Sequence, residues 1–305
     1  MDINRRSALK LFGLTAGLAA LTPTLIAKGE TLKYSLGKLP ATPHVGLKLA
    51  DYIKPHRLPK PPENFGHETL VPDWGMLGND TVGDCAIAGP FHAIQLWCSE
   101  GQKPFSVNTE CTLAEYSAIT GYDPKDPTTD RGSNVQEVAE YWRRTGLKDA
   151  AGNTHKIECY MSLEPGNLEQ LWHALYLFDG VGIGLELPEE YQTAFFSGQV
   201  WDALPYPTIE GGHYILGVGR RAGMINTVTW GKTQLLTPAG YQQFNDETFV
   251  YFDEEKLLKG KSLEGFDAEQ LMADMVDIAE ESSYDPNPFY NPCQEVPLDE
   301  YIEQE

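Results

Sequence analysis

The sequence contains few basic residues for its length. Its 305 residues include 23 Lys and Arg against 44 Asp and Glu, which gives a formal net charge of −21 at pH 7. Binding to nucleic-acid phosphates requires clustered Lys and Arg. The pairs Arg143-Arg144 and Arg220-Arg221 are too small to form such a patch. The composition therefore argues against a nucleic-acid partner.

Motifs for metal and cofactor binding are also missing. No HExxH, CxxC or EF-hand pattern occurs, and no glycine-rich loop is followed by Lys-Ser or Lys-Thr. The run GVGRRAG at 217–223 fits a turn between strands better than a dinucleotide site. No stretch has the ~20 apolar residues that a membrane span needs. We therefore expect no metal, no organic cofactor and no stable membrane span.

The first 27 residues have the pattern of an export signal. Arg5-Arg6 precede Ser-Ala-Leu-Lys and a short apolar run that reaches about Leu21. This order resembles a twin-arginine signal peptide, with cleavage near Ala27. The sequence therefore predicts a protein that is exported to the periplasm or the medium.

Five cysteines are too few, and too widely spaced, for a small disulfide framework. Because the number is odd, an exported protein would keep at least one thiol unpaired. We expect Cys85 to be that thiol. The pairing of Cys98, Cys111, Cys159 and Cys293 cannot be read from the sequence.

The order of the patterns predicts an α+β architecture with a helical lobe followed by an antiparallel β-rich lobe. After the signal come a proline-rich lead or pro-region (28–70), the main domain (71–260) and an acidic C-terminal helix and tail (261–305). Spacing and capping residues predict helices over 84–100, 133–145 and 167–178, and strands over 181–187, 213–219, 225–231 and 248–253.

Cys85 and His213 are the residues best placed for nucleophilic chemistry. Cys85 follows Asp84, a potential N-cap, and a helix N-terminus favours the thiolate that attacks a carbonyl. His92 lies about 10 Å further along the same helix, too far for a hydrogen bond. His213 instead begins a strand after paired glycines, which allow a substrate to approach closely.

Five segments, in this order, resemble the papain family of cysteine peptidases: NDTVGDCAIAG, GSNVQEVAEYWRRTGL, FFSGQVW, GGHYILGVG and VTWGK. The similarity covers about residues 70–255 and implies a papain-like two-lobed fold. It also implies that Cys85 is the nucleophile, that His213 is the general base and acid, and that Asn79 stands where the family has its oxyanion Gln. The two side chains of the dyad should then lie about 3–4.5 Å apart across a cleft.

The chain departs from the family pattern at one catalytic position. Alignment of Trp230-Gly231 puts Val228 where the family has the Asn that orients the imidazole, and valine cannot accept a hydrogen bond. Thr229 or Asn226 could replace that Asn only with a local shift. The departure weakens the expectation of catalysis without removing it.

Two functions follow from these features. The first is a thiol-dependent hydrolase that cleaves a peptide or protein substrate outside the cytoplasm, with a Cys85 pKa below that of a free cysteine. The second is a weak or inactive papain-like scaffold that binds a peptide or protein partner. A structural protein with an inert buried Cys85 is a third possibility. The oligomeric state is not indicated by the sequence.

Overall fold

The computed structural model describes residues 33–43, 47–49 and 60–268. Six α-helices lie within residues 60–268: α1 (Cys85–Glu100), α2 (Thr109–Thr120), α3 (Val135–Arg144), α4 (Leu168–Phe178), α5 (Glu189–Phe196) and α6 (Pro238–Phe244). Within the described ranges no helix has the length and apolar character needed to cross a bilayer.

Nine strands lie within residues 60–268 as well. They are β1 (Phe65–Gly66), β2 (Leu147–Lys148), β3 (Thr154–His155), β4 (Cys159–Leu163), β5 (Val181–Pro188), β6 (Ile209–Arg221), β7 (Met224–Thr229), β8 (Lys232–Leu236) and β9 (Asn245–Phe252). The main sheet has the order β4-β9-β5-β6-β7-β8, with β1 on β6, and all of its pairs are antiparallel. The expected α+β architecture is confirmed.

The long strand β6 separates two hydrophobic clusters, because successive side chains point to opposite faces. Tyr214, Leu216 and Val218 pack with α1–α3 in one cluster. Ile215 belongs to the other cluster, with residues of α4, α5 and α6. The residue that follows His213 therefore contacts the helical lobe.

Capping residues mark the start of α3 and the end of α1. Helix α3 begins after Asn134, whose Oδ1 accepts hydrogen bonds from the backbone N–H groups of Gln136 and Glu137. Helix α1 ends at Gly101, as predicted, and it stays helical through Pro90. Gly89 lets α1 approach β6 closely, because a Cβ there would overlap the ring of Tyr214.

Several sequence predictions fall outside the described residues. These are the signal peptide at 1–27, most of the acidic tail at 261–305, and Cys293. Cys85, Cys98 and Cys111 are free thiols. Among the described residues there is therefore no disulfide.

Candidate active site

Cys85 is the first residue of α1 and is 2% exposed. Its Sγ accepts a hydrogen bond from the backbone N–H of Tyr214, at 3.4 Å. The fold thus brings the start of α1 against the strand that carries His213, although Cys85 and His213 are 128 positions apart in the chain. No hydrogen bond joins the Cys85 and His213 side chains in the described part of the chain. A separation of 3–4.5 Å between them stays a prediction.

The His213 ring is fully buried and held from two sides. Its Nε2 lies 2.7 Å from Thr229 Oγ1, and its plane stacks on the Trp230 indole with centroids 4.3 Å apart. Nδ1 has no hydrogen-bond partner within the described residues. When Nε2–H donates to the threonine hydroxyl, Nδ1 keeps its lone pair and can accept a proton.

The partner of His213 is Thr229 because of the register of the β7–β8 hairpin. Thr229 pairs with Lys232, so Trp230 and Gly231 form a two-residue turn, with φ of +46° and +70°. Val228 faces away, pairs with Leu216 and is 1% exposed in the helical-lobe cluster. The side chain that contacts His213 Nε2 is thus Thr229, one of the two alternatives to Val228 that the sequence offers.

An extended part of the lead, residues 33–39, crosses the site; we call it the cleft segment. The Ser133 N–H donates to Gly37 O at 2.8 Å, and the Leu39 N–H donates to Ser133 O at 3.0 Å. From the opposite side, the Lys38 N–H donates to Gly212 O at 3.1 Å. The segment therefore bonds to the loop before α3 on one side and to β6 on the other.

Glycines make this close approach possible. A Cβ on Gly37 would overlap the carbonyl of Gly83, and a Cβ on Gly132 would overlap the carbonyl of Gly37. Gly132 also has a φ of +74°, in the region that favours glycine. The cleft segment thus lies directly against the backbone that leads into Cys85.

This cover changes the chemistry of the thiol. Burial raises the pKa of Cys85 to about 11, and the backbone N–H groups of Tyr214 and Gly37 offset the effect only in part. Burial likewise lowers the pKa of His213 to about 3. The sequence predicted a depressed thiol pKa. That is wrong for this structure, because the thiol is buried and burial disfavours the charged thiolate.

Asp84 precedes Cys85, but its side chain does not cap the helix. No side-chain capping bond forms, and neither carboxylate oxygen has a hydrogen-bond partner in the described structure. Burial raises the pKa of this fully buried carboxyl well above its usual value, and Asp130 and Asp80 add to the effect. The prediction that the Asp84 side chain caps α1 is therefore wrong, and the neutral form of the carboxyl is favoured.

Asn79 lies in the turn before α1 and is 3% exposed. Its Nδ2 donates to Val82 O at 3.2 Å, within the same turn. This contact supports the loop that leads to Cys85. An additional role for the Asn79 amide in holding an oxyanion stays a prediction.

Two side-chain clusters away from the thiol contain groups that metals bind. Cys98, His155 and Glu255 form one, and His67, Glu100 and Asp179 form the other. In the first, Glu255 Oε1 lies 2.7 Å from His155 Nδ1. In the second, Glu100 Oε1 lies 3.0 Å from His67 Nδ1. A histidine–glutamate contact thus links two members of each cluster.

Comparison of the whole structure with solved proteins identifies its fold. Xylellain, a cysteine protease from Xylella fastidiosa, superposes with a TM-score of 0.50 at 14% identity, over 72% of this chain and 96% of that one. A procathepsin B from Trypanosoma congolense gives a TM-score of 0.50 at 11% identity, over 71% and 85%. No protein-family model matches the sequence, and neither does any curated protein. The chain has a papain-like protease fold, and at such identities the likeness extends to the fold alone.

Proposed function

We propose that this chain is the latent form of a thiol-dependent peptidase. The observation that carries the proposal is the cleft segment, an extended peptide hydrogen-bonded to Ser133 and Gly212 on either side of Cys85. Backbone pairing of this kind recognises a peptide main chain irrespective of its sequence. The papain-like fold of the neighbouring structures supports the same conclusion.

In this mechanism Cys85 is the nucleophile and His213 is the general base and acid. His213 Nδ1 takes the thiol proton, and the thiolate attacks the substrate carbonyl. The peptide C–N bond breaks as the imidazolium returns the proton to the leaving amine. Water, deprotonated by the same nitrogen, then hydrolyses the thioester. Asn79 and the Cys85 N–H would stabilise the oxyanion.

Thr229 and Trp230 act on the imidazole without touching substrate. The threonine hydroxyl fixes the tautomer through Nε2, and the indole fixes the ring plane. Such an outer contact sets the orientation and basicity of a histidine. The family Asn is therefore not required for an oriented base.

The lead would keep the enzyme inactive until it is displaced. Residues 33–39 fill the space that a substrate would occupy, and they hold the thiol in its protonated form. This supports the view of residues 28–70 as a pro-region and of residues 71–260 as the enzyme domain.

The alternative, an inactive peptide-binding scaffold, had its main support in Val228. Because Thr229 contacts His213, that support is lost. Displacement of the cleft segment followed by reaction with an electrophile separates the two functions. We expect an opened protein to bind a peptidyl electrophile covalently at Cys85 and to hydrolyse peptide amides, and a Cys85→Ser variant to do neither. An opened protein with an alkylatable Cys85 but no turnover of any peptide would favour the scaffold.

We also propose export through the twin-arginine route, on the strength of Arg5-Arg6 and the short apolar run. Replacement of both arginines by lysine keeps the charge but removes the paired guanidinium groups. The precursor should then accumulate in the cytoplasm. Normal export of the double variant would contradict the assignment.

A further inference from the structure

The side chain of Lys38 occupies a buried acidic pocket beside the thiol. Lys38 Nζ lies 2.6 Å from Asp246 Oδ2 and 3.2 Å from Glu247 Oε1, and it donates to Leu39 O at 2.9 Å. The lysine side chain is completely buried, whereas lysine is among the residues least often found so. An ammonium group is withdrawn from water here only because two carboxylates face it.

The backbone is built so that both carboxylates reach one cation. Adjacent residues of a regular strand point to opposite faces. In the β5–β9 pairing, Gly184 pairs with Glu247 and Leu185 with Asn245, which leaves Asp246 as the extra residue of a bulge. A bulge re-aims side chains in this way. The Asn245 amide holds the corner in place through Gly184 O, Glu247 O and Thr248 Oγ1.

Two glycines provide the room. A Cβ on Gly184 would collide with Lys38 Cε and Glu247 Cγ, and a Cβ on Gly212 would overlap the Lys38 carbonyl. The enzyme domain (71–260) therefore contains a space for a long side chain, and Lys38 of the lead occupies it.

The pocket also has acceptor capacity that lysine does not use. Asp246 Oδ1 and Glu247 Oε2 are buried and have no hydrogen-bond partner among the described residues. The three donors of the ammonium group are already committed. A guanidinium group has five donors in a planar fork and could reach these remaining oxygens.

We propose that this pocket is the specificity site of the enzyme and that it selects peptides with Arg or Lys at the residue next to the one lying over Cys85. Asp246 and Glu247 recognise the positive charge, and Gly184 admits the chain. Lys38 occupies the site as a substrate side chain would. This assignment rests on the proposed function and names its substrate class.

Turnover is tested with the full chain carrying Gly37→Ala, in which the cleft segment cannot seat. The substrates are peptidyl coumarin amides in two sets. In the first set, the residue that carries the coumarin is either arginine or its neutral analogue citrulline. In the second set, arginine or citrulline is the residue before the one that carries the coumarin. We expect arginine to raise kcat/KM by roughly 30-fold or more over citrulline at one of these positions. Glu247→Gln and Asp246→Asn should reduce that ratio, while Glu186→Gln, an exposed carboxylate on the same strand as Gly184, should not.

A second measurement needs no turnover. In the otherwise unchanged full chain, Lys38→Met removes the charge and keeps the length, whereas Lys38→Arg keeps the charge. Alkylation of Cys85 should become at least tenfold faster in Lys38→Met, because the segment loses its anchor, and should stay slow in Lys38→Arg. Equal, slow labelling of both would overturn the pocket assignment.

The outcomes separate the two proposals. Equal cleavage of arginine and citrulline substrates would refute the specificity site and leave the peptidase intact. Reactive Cys85 with no hydrolysis of any substrate would refute the peptidase, and the Lys38 series would still report whether the pocket selects a cation.

Discussion

Thr229 Oγ1 lies 2.7 Å from His213 Nε2, and this contact holds one ring nitrogen of the buried imidazole. A hydroxyl has a single proton and two lone pairs, so it can accept from Nε2–H. The contact is buried, since Thr229 is 3% and His213 0% exposed. Water therefore has little access to the hydrogen bond between these two side chains.

Loss of the Thr229 hydroxyl should lower turnover. In the Gly37→Ala background, Thr229→Val keeps the shape of the side chain but removes the acceptor. We expect kcat to fall roughly 10- to 100-fold with KM nearly unchanged, because the imidazole loses its fixed tautomer. Thr229→Ser should retain most of the activity. An equal loss in both variants, or a change confined to KM, would show that the contact does not orient the base.

Gly37 controls access to the thiol. Because a Cβ there would overlap Gly83 O, Gly37→Ala should displace the cleft segment and expose Cys85. We expect alkylation of Cys85 by iodoacetamide at pH 8, followed by mass spectrometry of its peptide, to become at least tenfold faster. Ser35→Ala changes the same segment without adding a Cβ at the contact and should behave as wild type. Unchanged protection in Gly37→Ala would mean that the segment does not cover the site.

The pH dependence of Cys85 alkylation also tests whether the cleft segment covers the thiol. In the full chain, burial raises the pKa of the Cys85 thiol to about 11, so the alkylation rate should keep rising up to that pH. A raised thiol pKa means that the folded chain holds its proton longer than the unfolded chain does. Stability should therefore fall as the pH rises from about 8.5 to about 11. In Gly37→Ala the inflection should move to lower pH, and an identical inflection in both proteins would contradict the assigned cause.

The sequence predicted the elements better than the contacts between distant segments. Helix α1 and strand β6 follow from local patterns around Cys85 and His213, and both formed nearly as expected. The route of residues 33–39 could not be foreseen, because short proline-rich stretches carry no periodicity and Lys38 would ordinarily be exposed. Thr229 was considered only as an alternative to Val228, because the alignment fixed Trp230-Gly231, whereas the two-residue turn places residue 229, and not 228, on the side of His213.

The buried carboxyl of Asp84 provides a test of the electrostatics beside the nucleophile. Its pKa is raised chiefly by burial, so the folded chain binds a proton there at pH values at which the unfolded chain has released it. The contribution of Asp84 to the free energy of unfolding should consequently decrease as the pH rises from about 4.

Asp84→Asn replaces the neutral carboxyl with a neutral amide of the same shape. We expect this variant to be more stable than wild type at pH 7, by on the order of 1 kcal/mol, and to show a weaker dependence on pH in urea unfolding between pH 5 and 8. Glu186→Gln, an exposed carboxylate on β5, provides the control and should leave stability nearly unchanged. A large loss of stability in Asp84→Asn alone would instead mean that an ionised Asp84 holds the start of α1, and the thiol would then lie beside a negative charge that opposes its ionisation.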